Sequence, residues 1–213
     1  MPLDVTFNAI TGFRLVTSGP ERLAAFYRAI GFEVGEATPI RMEEMEVLGL
    51  RGGGSRRTMT LGSSRVDLDA FDRPGRGYPI GATACDRTFH HLALVTDDAE
   101  AAWRMAREAG ARPISRGRPV KLPQSAGGVI AIKFRDPEGH PLEFLQFPRR
   151  AKADWSGKCL MGIDHSAICV ANVAASERFY ADHGLIPGKR SLNQGPRRWR
   201  SMGSTTSRWM SCP

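Results

Sequence analysis

The chain has no acidic residue after Asp182, although six lysine and arginine side chains follow it. The formal net charge of +8 is therefore concentrated near the C-terminal end, and only about +2 is left for the rest of the chain. A nucleic-acid-binding protein presents its basic residues on a folded face or on an arm with stacking aromatics. The segment after Pro196 shows no periodicity, so we do not expect nucleic acid to be a partner.

Other sequence features that are missing argue against further classes of protein, such as membrane-spanning and secreted proteins. No apolar run approaches the roughly 18 residues that cross a membrane, and the first ten residues do not resemble a secretory signal. The four cysteines show no zinc-binding spacing and are interpreted as reduced thiols, which predicts a cytoplasmic protein. Nucleophile-elbow, P-loop and Rossmann motifs are missing, and the sequence does not support covalent catalysis.

An internal repeat is the main positive signal. Three apolar residues occupy one shared position: Leu15, Leu94 and Ile168. A glycine falls sixteen residues after each of them: Gly31, Gly110 and Gly184. Three residues before each of them stand Gly12, His91 and His165. A repeat with a spacing of more than seventy residues indicates one βα-type unit used several times. The position that holds either glycine or histidine is a candidate for a catalytic or metal-binding residue.

The repeat divides the chain into four parts. Strand and turn signals predict a β-α-β-β-β unit at 1–72, a second unit at 88–148, and a strand and helix only at 159–190. Residues 191–213 form an aberrant basic tail without strand alternation or a helical stripe. We hypothesise that a frameshift or truncation of the gene produced this tail.

Two motifs carry a resemblance to a known family. They are the run from Phe89 to Val95, FHHLALV, and the run from Asp136 to Phe144, DPEGHPLEF. With the Phe-Tyr pairs at 26–27 and 179–180, they resemble the vicinal oxygen chelate superfamily, the glyoxalase, bleomycin-resistance and dioxygenase group. The resemblance covers roughly residues 9 to 190. It implies an α+β fold of tandem βαβββ modules pairing into a curled mixed sheet around a cleft, with an incomplete third module.

The resemblance also implies where a metal would bind. Family ligands come from the start of the first strand and from the last strand of each module. Gly12 offers no side chain, so the implied ligands are His91, Glu143 and Asp67, with Asp69 as a substitute for Asp67. His165 stands in a ligand position, but the module that would complete its site is absent. The implied cofactor is a divalent ion of Fe, Zn, Ni, Co or Mn.

Strand geometry supports these candidates independently. Neighbouring residues of a strand face opposite sides, so Leu142 and Phe144 can pack in a core while Glu143 points away from it. The same alternation places Asp67 opposite its apolar neighbours. Imidazole and carboxylate groups on such faces suit a hard or borderline divalent cation.

The function expected on this basis is metal-dependent chemistry on a small molecule with vicinal oxygens, either glyoxalase-like isomerisation or ring-cleaving dioxygenation. Arg14 is the candidate contact for an anionic substrate. Two alternatives stay open, a metal-free small-molecule-binding protein like the bleomycin-resistance relatives, and an inactive truncated relative. We expect a small-molecule substrate as partner and no membrane, and a homodimer is left open.

Overall fold

The computed structural model describes residues 10–79, 81–82, 86–88, 90–124, 127–148 and 159–188. The basic tail predicted at 191–213 lies outside the described residues, as do the outer ends of the predicted units at 1–9 and 189–190. None of the helices within these ranges is long and apolar enough to cross a bilayer.

The first unit forms a four-stranded sheet. Its elements in chain order are β1 (Phe13–Val16), α1 (Pro20–Ala29), β2 (Glu33–Pro39), α2 (Met42–Val47), β3 (Gly54–Leu61) and β4 (Ser64–Phe71). The strand order is β1-β4-β3-β2, with β1 parallel to β4 and the other pairs antiparallel. The short helix α2 is an addition to the predicted order.

The rest of the described chain forms a second sheet. Its elements are β5 (His90–Thr96), α3 (Ala99–Glu108), β6 (Arg112–Pro113), β7 (Val120–Lys121), β8 (Ile130–Arg135), β9 (Pro141–Gln146), β10 (Leu160–Ile168) and α4 (Val173–Asp182). The strand order is β10-β5-β9-β8-β6, and β7 pairs with β8. The α+β class and mixed sheets predicted from the sequence are confirmed.

The helix ends follow from local chemistry. Asp98 caps α3, because its side chain accepts hydrogen bonds from the backbone N–H groups of Glu100 and Ala101. Pro20 begins α1, where its missing N–H costs nothing. Gly31 follows α1 with a φ of +106°, a left-handed conformation that glycine adopts without strain.

One hydrophobic core joins the first two units. Leu23, Phe26 and Tyr27 of α1 pack in the same cluster as Trp103 of α3 and Phe144 of β9. Side chains of both sheets complete this cluster, and removal of their apolar surface from water stabilises the fold.

The third unit joins the molecule through its strand. β10 runs antiparallel to β5 and pairs with it from Leu160 to Ile168. Leu160 and Met161 are buried, whereas α4 contributes no buried residue among those that the structure describes. The first strand of the second unit therefore lies between β9 and the first strand of the third unit.

Candidate metal centre

Three strands of the second sheet bring together two histidines and a glutamate. Among the described residues, His91, Glu143 and His165 form a group whose potential ligand atoms all lie within 4.8 Å of one another. His91 comes from β5, Glu143 from the neighbouring β9, and His165 from β10 on the other side of β5. The sequence prediction named the first two of these residues as metal ligands.

Strand alternation explains why these side chains share one face. Leu142 and Phe144 are buried in the main core, while Glu143 between them points to the opposite face of β9. In the sheet register, Glu143 lies beside Ala93 and His165 lies across from that same alanine. Ala93 thus marks the point of the sheet at which both neighbouring strands present a candidate ligand.

Lys133 of β8 also reaches this face. It lies directly across from Glu143 in the β8–β9 register. Its Nζ donates a hydrogen bond to Glu143 Oε2 at 2.6 Å and lies 3.0 Å from His91 Nε2. The atoms His91 Nε2 and Glu143 Oε2 are 3.1 Å apart, and all three side chains are at most 10% exposed.

The charge states of the two buried candidate ligands, Glu143 and His91, follow from these contacts. Burial alone would raise the pKa of Glu143, but the nearby Lys133 and His91 outweigh that effect and lower the pKa to about 2. Burial lowers the pKa of His91, and the positive charge of Lys133 lowers it further, against the opposing effect of Glu143. Near neutral pH the site therefore presents a carboxylate and a neutral imidazole, the forms that bind a metal.

His165 is the most exposed member of the group, with 42% of its side chain accessible. Its Nδ1 lies 2.8 Å from Asp164 Oδ2. A carboxylate at one ring nitrogen fixes the orientation of the imidazole and leaves the other nitrogen for a ligand, an arrangement that is typical of metal-binding histidines.

Asp67, the third ligand predicted from the sequence, lies in the first sheet and outside this group. Its carboxylate accepts hydrogen bonds from Arg65 Nε and Nη2, both at 3.0 Å, and from Thr58 Oγ1 at 2.8 Å. The structure thus brings His91 and Glu143 together, whereas Asp67 forms its hydrogen bonds with Arg65 and Thr58. Asp67 lies in the sheet of β1, and β5 pairs with β10 in the other sheet.

The other two candidates of the first sheet belong to one charged network. Arg56 forms two hydrogen bonds with Asp69, both of 2.7 Å, and two more with Glu44. Glu44 also pairs with Arg14 at 2.5 Å. Asp69 is therefore engaged by a partly buried guanidinium group and lies outside the cluster of His91, Glu143 and His165.

A cavity of about 880 Å³ lies beside the cluster and includes His91 in its wall. β1, the segment at 74–79 and the end of β10 contribute to its lining. Four arginines face it: Arg14, Arg22, Arg76 and Arg87. Among the described residues that line it, Glu138 is the one carboxylate, so the cavity is predominantly basic.

The Asp136–His140 turn of the second motif connects the first two units. Asp136 Oδ1 accepts hydrogen bonds from three backbone N–H groups of the turn, while Oδ2 contacts Tyr27 and His140 Nδ1. Glu138 accepts from the backbone N–H groups of Ser18 and Gly19 at the start of α1. This part of the motif is structural and leaves Glu143 as its contribution to the cluster.

Sequence reasoning missed Lys133 and gave too little weight to His165. The signal for Lys133 was a lysine between Ile132 and Phe134 in an otherwise apolar strand, at a position that alternation places on the face of Glu143. The signal for His165 was its place in the repeat, which was discounted because the third unit is incomplete.

Comparisons with known proteins agree with this fold. A family model described as Glyoxalase/Bleomycin resistance protein/Dioxygenase superfamily matches residues 7–144. A glyoxalase family protein from Bacillus cereus is similar at 17% identity and a TM-score of 0.54, over 66% of this chain and 95% of that chain. Glyoxalase I from Zea mays is similar at 17% identity and a TM-score of 0.53, over 78% of this chain and 51% of that chain. No curated protein matches the sequence significantly. At such identities the two structures show a common fold alone.

Proposed function

The chain belongs to the Glyoxalase/Bleomycin resistance protein/Dioxygenase superfamily, as its sequence predicted, and on that premise we propose that it is a metal-dependent enzyme acting on a small molecule with vicinal oxygens. The observation that carries the proposal is the convergence of His91, Glu143 and His165 from three neighbouring strands. His91 and Glu143 are retained from the sequence prediction, and His165 takes the place of Asp67.

The donor set fits a divalent metal. Two imidazoles and one carboxylate are typical of non-haem Fe(II) oxygenases, in which the remaining coordination positions are open. This composition favours ring-cleaving dioxygenation over glyoxalase-like isomerisation, for which Zn, Ni, Co or Mn would also serve. When bound, the metal would polarise adjacent substrate oxygens as a Lewis acid, and Fe(II) would add redox chemistry.

The side chains around the metal position have separable roles. Glu143 supplies a negative charge that is already ionised, because Lys133 and His91 lower its pKa. His91 supplies a neutral nitrogen at the wall of the cavity, where substrate would meet the metal. Asp164 orients the ring of His165 through the contact at Nδ1.

The cavity suggests the charge of the substrate. Its four arginines attract anions, and Arg14 on β1 is the substrate contact predicted from the sequence. We therefore propose a small anionic molecule that carries adjacent oxygens. A homodimer remains a prediction, which size-exclusion chromatography with light scattering would test.

The alternative is a metal-free binding protein that sequesters a small molecule in the same cavity. One observation favours it, the contact of Lys133 Nζ with both His91 and Glu143. A lysine in this place supplies a positive charge to the site without any metal.

Elemental analysis of site variants separates the two functions. We expect wild-type protein loaded with Co(II) or Zn(II) and then dialysed to retain one ion per chain, and Glu143→Gln and His165→Gln to lose it. Asp67→Asn is the matched control and should retain the ion, because Asp67 lies in the other sheet. Equal metal content in wild type and both site variants, with all of them folded, would reject the metal-dependent function.

A further inference from the structure

We propose that Lys133 is a built-in cation that pairs with Glu143 and His91 when no metal is bound and must leave when a metal binds. This inference rests on the proposed function, because it concerns the same ligands. It assigns to one lysine the control of metal affinity at the site.

The contacts of Lys133 make simultaneous binding of the ammonium group and a metal unfavourable. An ammonium group has donors only, so its 3.0 Å contact with His91 Nε2 uses the single lone pair of that nitrogen. A metal ligated by Nε2 needs the same lone pair. Glu143 Oε2, at 2.6 Å from Nζ, is likewise engaged, and two cations held at such a distance repel each other strongly in a buried site.

The same contacts explain why the lysine is present. Glu143 is only 3% exposed, and a buried carboxylate without a partner is costly. Lys133 neutralises it across the β8–β9 pair, where the two residues are in direct register. Lys133 therefore supplies the positive charge that the buried carboxylate needs within this cluster.

In the first sheet, the carboxylate at the corresponding strand position, Asp67, is paired with an arginine and not with a lysine. Asp67 lies across from Thr58 in the β3–β4 register, as Glu143 lies across from Lys133. Arg65 forms two hydrogen bonds with Asp67, an arrangement that is hard to displace. Lys133 instead offers a single ammonium group on a flexible four-carbon stem, which can move to another position more easily.

Metal titration of a charge-removing variant tests the inference. Lys133→Met keeps an unbranched side chain, shorter by one atom, and removes its charge, and Lys121→Met on β7 is the matched control because Lys121 is exposed. Isothermal titration with Co(II) and Zn(II) should show binding at least about tenfold tighter in Lys133→Met than in wild type, equivalent to ~1.4 kcal/mol. Lys121→Met should bind like wild type. Thermal melts should show that Lys133→Met without metal is less stable and gains more from added metal than wild type does.

A second measurement uses the wild-type protein and does not depend on a variant that folds. Acetylation of lysines by an N-hydroxysuccinimide ester, followed by peptide mass spectrometry, reports the accessibility of Lys133. Saturating Zn(II) should increase the labelling of Lys133 severalfold and leave that of Lys121 unchanged.

The outcomes distinguish this inference from the proposed function. Unchanged or weaker metal affinity in Lys133→Met, or unchanged labelling of Lys133 when metal is bound, overturns the role of Lys133 while the metal site stands. Absence of metal binding in both wild type and Lys133→Met overturns both proposals.

Discussion

Glu143 is a buried carboxylate, and its stability in the fold depends on the side chains around it. The free energy needed to bury its carboxylate is offset by the hydrogen bond and the charge of Lys133. Lys133 contacts both Glu143 and His91, so removal of any one of the three side chains leaves another buried polar group without its partner. The three residues therefore act as a unit. Their individual contributions to stability will therefore not be additive.

The pH dependence of stability tests the charge state of Glu143. Its pKa is lowered from 4.5 to about 2 in the folded protein, so its ionisation stabilises the fold above about pH 4.5 and this contribution is lost as the pH falls toward 2. Urea denaturation should show wild type more stable than Glu143→Gln at pH 7, with a difference that shrinks below pH 4.5. A difference that stays constant from pH 7 to pH 3 would show that Glu143 is not ionised in the fold.

His140 should show the opposite dependence. Burial opposes its protonation, but the hydrogen bond and charge of Asp136 outweigh burial and raise the pKa of His140 above its usual 6.5. The stabilisation is thus fully present below about pH 6.5 and is lost as the pH rises through the raised value. The stability difference between wild type and His140→Gln should be larger at pH 5.5 than at pH 9. A larger difference at pH 9 would contradict the assigned contact with Asp136.

At the scale of elements, the helices of the repeat occupy different environments. Phe26 of α1 is 2% exposed, whereas Phe179, its counterpart in the Phe-Tyr pair of α4, is 56% exposed. Both residues stand next to a tyrosine at the same point of the repeat, and their sequence contexts do not reveal this difference.

Matched alanine variants of these two phenylalanines test the difference. Phe26→Ala should lower the free energy of unfolding by about 3–5 kcal/mol, because it leaves a cavity in the core. Phe179→Ala should change it by no more than about 0.5 kcal/mol, as is usual for exposed positions. Chemical denaturation of both variants gives the comparison. A large loss in Phe179→Ala would mean that α4 is packed against another surface in solution.

Element order could be predicted from the sequence, but the pairing of units could not. Glycines such as Gly31 and the alternation around Glu143 are local signals, and they indicate where a helix ends and which strand residues share a face. The helix α2 was missed because its six residues bury Met45 alone and show little periodicity. The pairing of β5 with β10 depends on contacts far apart in the chain. For that reason the sequence favoured Asp67 over His165 as the third ligand, whereas His165 is the residue that lies beside His91 and Glu143 in the structure.

At the scale of the whole molecule, a basic cavity lies between the first unit and the metal cluster. Arg14 reaches it from β1 and is held by Glu44, while His91 reaches it from β5. An anionic group bound near Arg14 would place the remainder of a small molecule toward the cluster. Under the proposed function, the first unit supplies charge for substrate binding, and the second and third units supply the candidate metal ligands.

Paired probe ligands test this division of roles. Metal-loaded protein should bind 3,4-dihydroxybenzoate more tightly than catechol, because only the former carries a carboxylate. Arg14→Gln should weaken binding of 3,4-dihydroxybenzoate by about tenfold, close to the lower end of the range for a hydrogen bond to a charged group, and leave catechol binding unchanged. Titration calorimetry supplies the constants. Equal loss for both probes would assign Arg14 a structural role in place of a role in binding the anion.

The central claim is that a metal binds where β5, β9 and β10 meet. Anomalous diffraction from crystals soaked in Co(II), measured at the cobalt absorption edge, locates the ion directly. We predict one strong peak per chain, ligated by His91, Glu143 and His165. A well-occupied peak at Asp67, or no peak among the three side chains at saturating cobalt, would contradict the account.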